Sequence, residues 1–423
     1  MKNQRLLQIF FVSLIFILII YLLNSPILEE FVTRAEYKPG VTILFGDYYL
    51  LISWLECHYL GFDVYKLESI KNCPSFSTII LYGPLWLYLP FNDVLKIFYL
   101  EYLPFLTILL FVASLTKIIN PKNFIEYTFL ILAILNPSTL ILFQRLGFDI
   151  FVFILVIFIN FNRVYFINWF TIFCLTFIKI YPAILGINIF LENIERSFIK
   201  NLILIFSIIL ISTIYLYVNY DVYKISLIDG GFNISQAGYH FLFSLNSLPK
   251  IFKYIFNLNY IFMLFIFYFV FILMTKWFYN KLSSDYIKIT ENTFSKNGKL
   301  FILGGYVILF CFVTYSNYIY REVFILLLLP YLISLKNKNI NNLLNFLFFL
   351  IIVRFLILFP YAYLNVNDGI MYVDGVRQFS KQFLISISIK SIFDFIMMSL
   401  VSSILFLKSK KFFQFKKESL SNK

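Results

Sequence analysis

The sequence predicts an all-α polytopic membrane protein with about twelve transmembrane helices. Three observations carry that prediction. The chain is 61% hydrophobic and 13% charged, with a mean hydropathy of +0.84; a water-soluble domain is nearer half apolar and a quarter charged. Its 423 residues are broken into apolar runs, most of them close to the ~20 residues a helix needs to cross a bilayer. The connections between runs alternate in kind. One set is short and lysine-rich. The other is longer and holds most of the Asp and Glu, with Trp, Tyr and a few lone basic residues.

The elements follow in order. The N-terminus has a basic start and an apolar run with no small-residue cleavage site after it, which reads as a first span and not as a cleaved signal peptide. Further runs place spans near 97–116, 124–143, 148–162, 164–178, 199–219, 257–276, 299–316, 322–336, 342–360 and 384–407, after the first at 6–23. A shorter run, 181–191, crosses or dips. The run 76–91 is apolar but broken by Pro84 and Pro90, and proline disrupts a helix interior; it is read as interfacial or re-entrant. Twelve crossings then leave both termini cytoplasmic. The segments this places inside hold more than half of the 35 Lys and Arg but fewer than a third of the 22 Asp and Glu, as the positive-inside tendency requires. The long first loop, 24–96, and the loops 220–256 and 361–383 fall on the extracytosolic side. Residues 408–423 form a basic cytoplasmic tail suited to anionic lipid. The whole chain, 1–423, reads as a single integral membrane domain, multi-pass in a plasma (inner) membrane.

Composition excludes several classes. The net charge of +13 follows from the cytoplasmic loops, and no basic cluster has the context of a nucleic-acid site. No glycine-rich phosphate loop follows a strand. The two histidines, His58 and His240, are far apart and no metal-ligand cluster is visible; no cofactor is expected, and a need for divalent metal stays open. Of four cysteines, Cys174 and Cys311 lie in apolar runs. Cys57 and Cys73 share the first loop, where an oxidising exterior permits a disulfide without requiring one.

Asp47 opens an amphipathic stretch, 46–60, with Tyr48, Leu51, Trp54 and Leu55 near one face. Such a helix would lie in the membrane interface and hold a carboxylate at headgroup depth, where it can serve as a general base. An Asp after Gly equally suits a helix N-cap. Four basic residues reach the same side: Arg145, Lys179, Arg321 and Arg377. Arginine makes bidentate contacts to phosphate, yet each has a plainer role. Arg145 and Asp149 are four apart and can pair; Lys179 can snorkel to the headgroups; Arg321 can pair with Glu322, and Arg377 with Asp374. Arg354 lies inside an apolar run, where a lone charge costs ~2.5–3.5 kcal/mol. Asp394 in the next run is its candidate partner, with a lipid-phosphate contact as the other option. The loop 220–256 offers Gly230, Gly231, Asn233, Ser235 and Gln236 as a hydrogen-bonding rim, or simply as a polar loop. His240, Asp368 and Asp374 are further candidates.

Four ordered motifs carry a resemblance. Asp47 with its tyrosines, then Gly61-Phe62-Asp63-Val64-Tyr65, then Tyr82-Gly83-Pro84 before a hydrophobic segment, resembles the first outer loop of polyprenyl-phosphate-sugar-dependent glycosyltransferases of the C-type superfamily. It is similar to the bacterial polyprenyl-phosphate-mannose mannosyltransferases. Val64 and Gly83 stand where that family usually has proline. The stretch 136–153 resembles the family's Pro, polar turn and new helix. The stretch 177–196 is similar to its Lys-x-x-Pro corner, with Lys179 and Tyr181. The stretch 316–336 is similar to its late Tyr-Arg, here Tyr320 and Arg321. The resemblance implies an extracytosolic transferase that takes a hexose, commonly mannose, from polyprenyl phosphate. Asp47 would act as base toward a glycan or lipid acceptor, with inversion at the anomeric carbon. It also implies that Lys179 and Arg321 lead among the donor-phosphate candidates. Its partners would be membrane lipid and lipid-linked sugar. Two other classes suit the topology: an O-antigen or capsule polysaccharide polymerase, and a lipid-linked-sugar transporter or flippase.

Overall fold

The computed structural model describes residues 2–25, 44–66, 69, 71–75, 84–162, 164–179, 181–187, 198–220, 243–290, 293, 295–314, 319–336, 342–367, 370–373, 376–379 and 381–421. These residues are helical nearly throughout. The exception is an antiparallel hairpin of two four-residue strands, β1 (Ile370–Val373) and β2 (Val376–Phe379), with Tyr372 opposite Arg377. It falls in the expected outer loop 361–383.

Among the described residues, five helices are long and apolar enough to cross a membrane: Leu6–Leu23, α3 (Asp93–Ile119), Tyr260–Ser283, Lys296–Thr314 and Ile387–Lys411. Phe124–Ile134 (α4) and Pro137–Arg145 make a sixth if they form one broken span, bent by 51°. The break has a local cause. Pro137 has no N–H to donate into the helix, and the Asn136 side chain accepts from the Thr139 amide at 3.2 Å, starting a new helix. Shorter apolar helices, Asp149–Phe161, Phe166–Ile178 and Asn342–Arg354, fall on three more of the expected runs.

The chain divides into two compact units. The first comprises Met1–Thr42, Ala113–Ile141 and Tyr239–Lys423. Here the N-terminal helix α1 (Lys2–Leu23) meets Tyr127 through Phe11, ring centroids 4.8 Å apart. The helix Lys296–Thr314 is largely buried because two glycines let its neighbours in close. A Cβ at Gly304 would lie 2.5 Å from Cβ of Leu327, and one at Gly305 would lie 3.0 Å from Leu405. Small residues allow such approach in membrane bundles. Hydroxyls tie the helices further: Ser403 donates to the Thr275 carbonyl at 2.7 Å, and Tyr331 donates to the Ile289 carbonyl.

The second unit comprises Ile43–Val112 and Leu142–Gly238. Its first helix, α2 (Gly46–Tyr59), buries Tyr48, Leu51, Trp54 and Leu55. The face expected to rest in the membrane interface is therefore covered by protein; Trp86, in a 3-10 turn over Pro84–Tyr88, donates its indole N–H to the Leu51 carbonyl at 3.1 Å. The end of α2 is stapled. Cys57 and Cys73 form a disulfide, with Cα atoms 5.8 Å apart, which settles the pairing left open by sequence. Beside it Glu56 accepts from Lys96 at 2.6 Å and Ser75 at 2.7 Å. Burial works to raise the Glu56 carboxyl, but these bonds and the Lys96 charge hold it below the usual carboxylate range. The disulfide closes a loop of 16 residues, a constraint worth about 3 kcal/mol. Replacing Cys73 by Ser should speed protease cleavage within 60–75 by roughly a hundredfold, where cleavage follows local opening; timed proteolysis with mass spectrometry measures it.

Candidate functional site

The second unit gathers charged residues from three separated stretches. The key element is the corner between α5 (Pro137–Arg145) and α6 (Asp149–Phe161). Leu146, fully buried, takes the left-handed conformation there with φ 49°. A branched side chain pays for that geometry, so the surrounding packing must impose it. A second left-handed residue, Phe45 at φ 62°, precedes α2. The two strained points are joined: the Phe45 amide donates to the Gln144 carbonyl at 2.6 Å.

This joint sets Asp47 against Arg145. Nη1 of Arg145 donates to Oδ1 of Asp47 at 2.8 Å, across 98 residues of sequence. The Asp47 side chain keeps 17% of its surface exposed and that of Arg145 keeps 25%, so the pair is partly reachable. The N-cap of α2 is Phe45, and Asp47 lies one residue into the helix. The capping role that the sequence allowed for Asp47 is thus replaced by an ion pair.

Two more functional groups come from the corner after α7 (Tyr165–Ile178). Lys179 donates to Oδ2 of Asp149 at 2.8 Å, and the Tyr181 hydroxyl donates to Oδ1 at 2.6 Å. Asp149 is fully buried. An isolated buried carboxylate would be costly; here a cation and a phenol satisfy it. Phe148 anchors the group. The Lys179 ammonium stands 6.0 Å from its ring centroid, and Trp86 packs on it edge-on at 6.3 Å. Tyr48 packs on Phe151 at 6.3 Å. The Tyr48 hydroxyl is buried with no hydrogen-bond partner among the described residues, and burial pushes its phenol up from the ordinary tyrosine range.

Substituting Asp149→Asn keeps the size but removes the charge, leaving Lys179 facing an amide. A loss of about 3 kcal/mol in stability is expected from unpairing a buried partner, read as the heating midpoint of the detergent-solubilised protein. Lys179→Met in the same chain should recover part of it.

Asp63 and Tyr65 lie near the other end of α2 and line an open cleft of about 410 Å³. The Asp63 carboxylate accepts from the Tyr65 amide at 3.1 Å and from Lys66 at 3.0 Å. Tyr82 and His240 lie outside the described residues, as do Asp368, Asp374 and the polar rim of the 220–256 loop. For Arg377 and Tyr320 only the backbone is described: Arg377 in β2, Tyr320 in a 3-10 segment, Ile319–Leu328. Arg321 is half-buried in that same segment. Its neighbour Glu322 is 1% exposed and is engaged elsewhere.

Glu322 belongs to a quartet in the first unit. Arg354 meets Asp394, the partner its position suggested, and Glu322. Lys390 bonds Glu322 at 2.9 Å and Asp394 at 2.6 Å. Ser138 donates to Glu322 at 2.9 Å. None of the four charged residues is more than 2% exposed. Arg354 and Lys390 both stand about 6 Å from the ring of Phe243, at 5.8 Å and 5.9 Å. Two cations and two anions make the quartet neutral, which removes the cost of a lone buried charge and leaves Arg354 no surplus charge for a phosphate. Sequence reasoning missed Lys390, although its spacing of four from Asp394 was visible; it missed Glu322 because the adjacent Arg321 seemed to satisfy it.

Among the described residues no group of three His, Cys, Asp or Glu side chains is arranged to hold a metal ion. Models of known protein families give no match to this chain, and a search of curated proteins likewise finds none.

Proposed function

We propose that the protein is a membrane glycosyltransferase that takes a hexose from a polyprenyl-phosphate donor at the extracytosolic face of a plasma (inner) membrane. The observation that carries this is the Asp47–Arg145 pair beside a strained corner, with Asp149 four residues beyond Arg145 and with Lys179 and Tyr181 bonded to Asp149. The set holds two carboxylates and two cations, and its Asp47–Arg145 pair is partly open. The chemistry follows from that set. An acceptor hydroxyl loses its proton to the Asp47 carboxylate as its oxygen attacks the anomeric carbon. The bond from that carbon to the phosphate oxygen breaks, its electron pair leaves with the lipid phosphate, and configuration inverts. Arg145 and Lys179 suit the developing charge on the leaving phosphate. The ion pairs of the resting protein keep those cations oriented before the donor arrives.

The disulfide supports the sidedness, since such bonds persist in oxidising compartments. Twelve crossings with both termini cytoplasmic complete the proposed topology. The test is to reconstitute the full chain, supply radiolabelled polyprenyl-phosphate hexose with membrane glycans, and follow label into glycan. Transfer above protein-free vesicles supports the proposal; label that stays on the lipid while crossing to the other leaflet would replace it with a flippase. The buried quartet is the one feature that favours the transport reading, because transporters keep ionisable groups inside the bundle.

A further inference from the structure

At the end of α2 remote from Asp47, the cleft lined by His58, Phe62, Asp63, Tyr65, Leu87 and Tyr88 has a different character from the charged corner. We infer that this cleft is a carbohydrate subsite, which holds a neutral sugar ring of the acceptor glycan away from the ring that reacts. His58 lies eleven residues beyond Asp47 on a single helix, which places the two about 16 Å apart at 1.5 Å per residue. The cleft is thus separate from the reacting centre but fixed to it by a rigid element.

Its chemistry is that of sugar recognition. Tyr88 is 77% exposed and offers a flat apolar face, and Tyr65 supplies a second aromatic wall. The Asp63 side chain is 41% exposed, and its Oδ1 is held by the Tyr65 amide. A carboxylate so placed accepts charge-assisted bonds from sugar hydroxyls. Lys66, 75% exposed, is a weakly held partner that a ligand can displace. The Ser69 hydroxyl accepts from the Asp63 amide at 2.8 Å. Gly61, at φ 87°, leaves open space where a side chain would stand. The site is built on stiff parts: Cys57, held in the disulfide to Cys73, accepts from the Phe62 amide at 3.0 Å, and the Tyr59 hydroxyl donates to the Leu89 carbonyl at 2.9 Å. A few placed polar groups on an apolar, preformed concavity are what small-molecule sites share. Neutral ligands suit it better than phosphate, because the net contribution of Asp63 would repel an anion. That the sugar belongs to an acceptor rests on the transferase reading; that the cleft binds sugar does not.

The experiment is saturation-transfer NMR on the full chain in nanodiscs. The probe is the neutral oligosaccharide pool released by mild acid from the envelope glycans of the source cells. Wild type should transfer saturation to sugar ring protons. Asp63→Asn combined with Tyr88→Ala should weaken that signal at least tenfold, while Tyr88→Phe, which keeps the ring, should retain it. Unchanged protection of Cys57 and Cys73 from thiol reagents shows that the variants fold. No transfer in wild type, or equal transfer in the double variant, overturns the subsite and leaves Tyr88 as an interface anchor. An Asp47→Asn protein that binds the pool but transfers nothing keeps both proposals. One that still transfers at the full rate sinks the catalytic assignment while leaving the subsite standing.

Discussion

Asp47→Asn is expected to cut sugar transfer by roughly a hundredfold to ten-thousandfold, the span that a positioned general base contributes. The amide matches the carboxylate in shape and still offers an oxygen to Arg145, so the link between α2 and the α5–α6 corner survives. What it lacks is the capacity to take a proton. The loss should therefore fall on turnover, with donor affinity and protein yield little changed. Arg145→Ala makes the useful contrast. It leaves the base but removes a cation from the leaving-group side, so donor binding should weaken as well. If Asp47→Asn retained full transfer, the carboxylate would be a structural partner of Arg145 and nothing more.

Arg354→Met is expected to cost about 3–5 kcal/mol of stability, the range for breaking a buried ion pair from one side. Glu322 and Asp394 would be left sharing Lys390 alone, inside a region where each is no more than 2% exposed. Heating the solubilised variant and following the monodisperse fraction measures the effect. A second change tests the cause. Arg354→Met with Asp394→Leu restores charge balance around one pair, Lys390 with Glu322, and should recover most of the loss, because charges in one network do not act additively. A single variant as robust as wild type would mean that the quartet is not a structural element.

The helical, membrane-spanning character of the fold and part of the candidate site were legible in the sequence, for physical reasons that can be named. Lone charges in or at the ends of apolar runs stand out because the bilayer penalises them; Arg145, Asp149, Lys179 and Arg354 were visible that way, and Asp47 as the opening of the 46–60 stretch. Their partners were less so. Asp47 and Arg145 are 98 residues apart, and Lys179 and Asp149 are 30 apart; no periodicity encodes such contacts. Arg145 and Asp149 were read as a possible pair across the 144–149 turn; Leu146 takes the left-handed conformation there, and the two side chains bond Asp47 and Lys179. The pattern of 46–60 was read as one apolar face resting in the membrane interface, yet the helix buries five consecutive residues, 51–55, so protein covers it all round there. The Asn136–Pro137 break follows from local rules, yet 124–143 was read as one unbroken span, because its apolar run continues past the proline. The cleft at the end of α2 was invisible as a cavity, because it needs the 84–88 turn brought beside 58–65.

The account depends on Asp47 facing the extracytosolic space. Tyr49, two residues on and 41% exposed, can be replaced by Cys in a chain whose free cysteines, Cys174 and Cys311, are changed to Ser. A membrane-impermeant maleimide applied to intact cells should label residue 49 as fully as it does after permeabilisation. Labelling that required permeabilisation would put the carboxylate on the cytosolic side and contradict the proposed site.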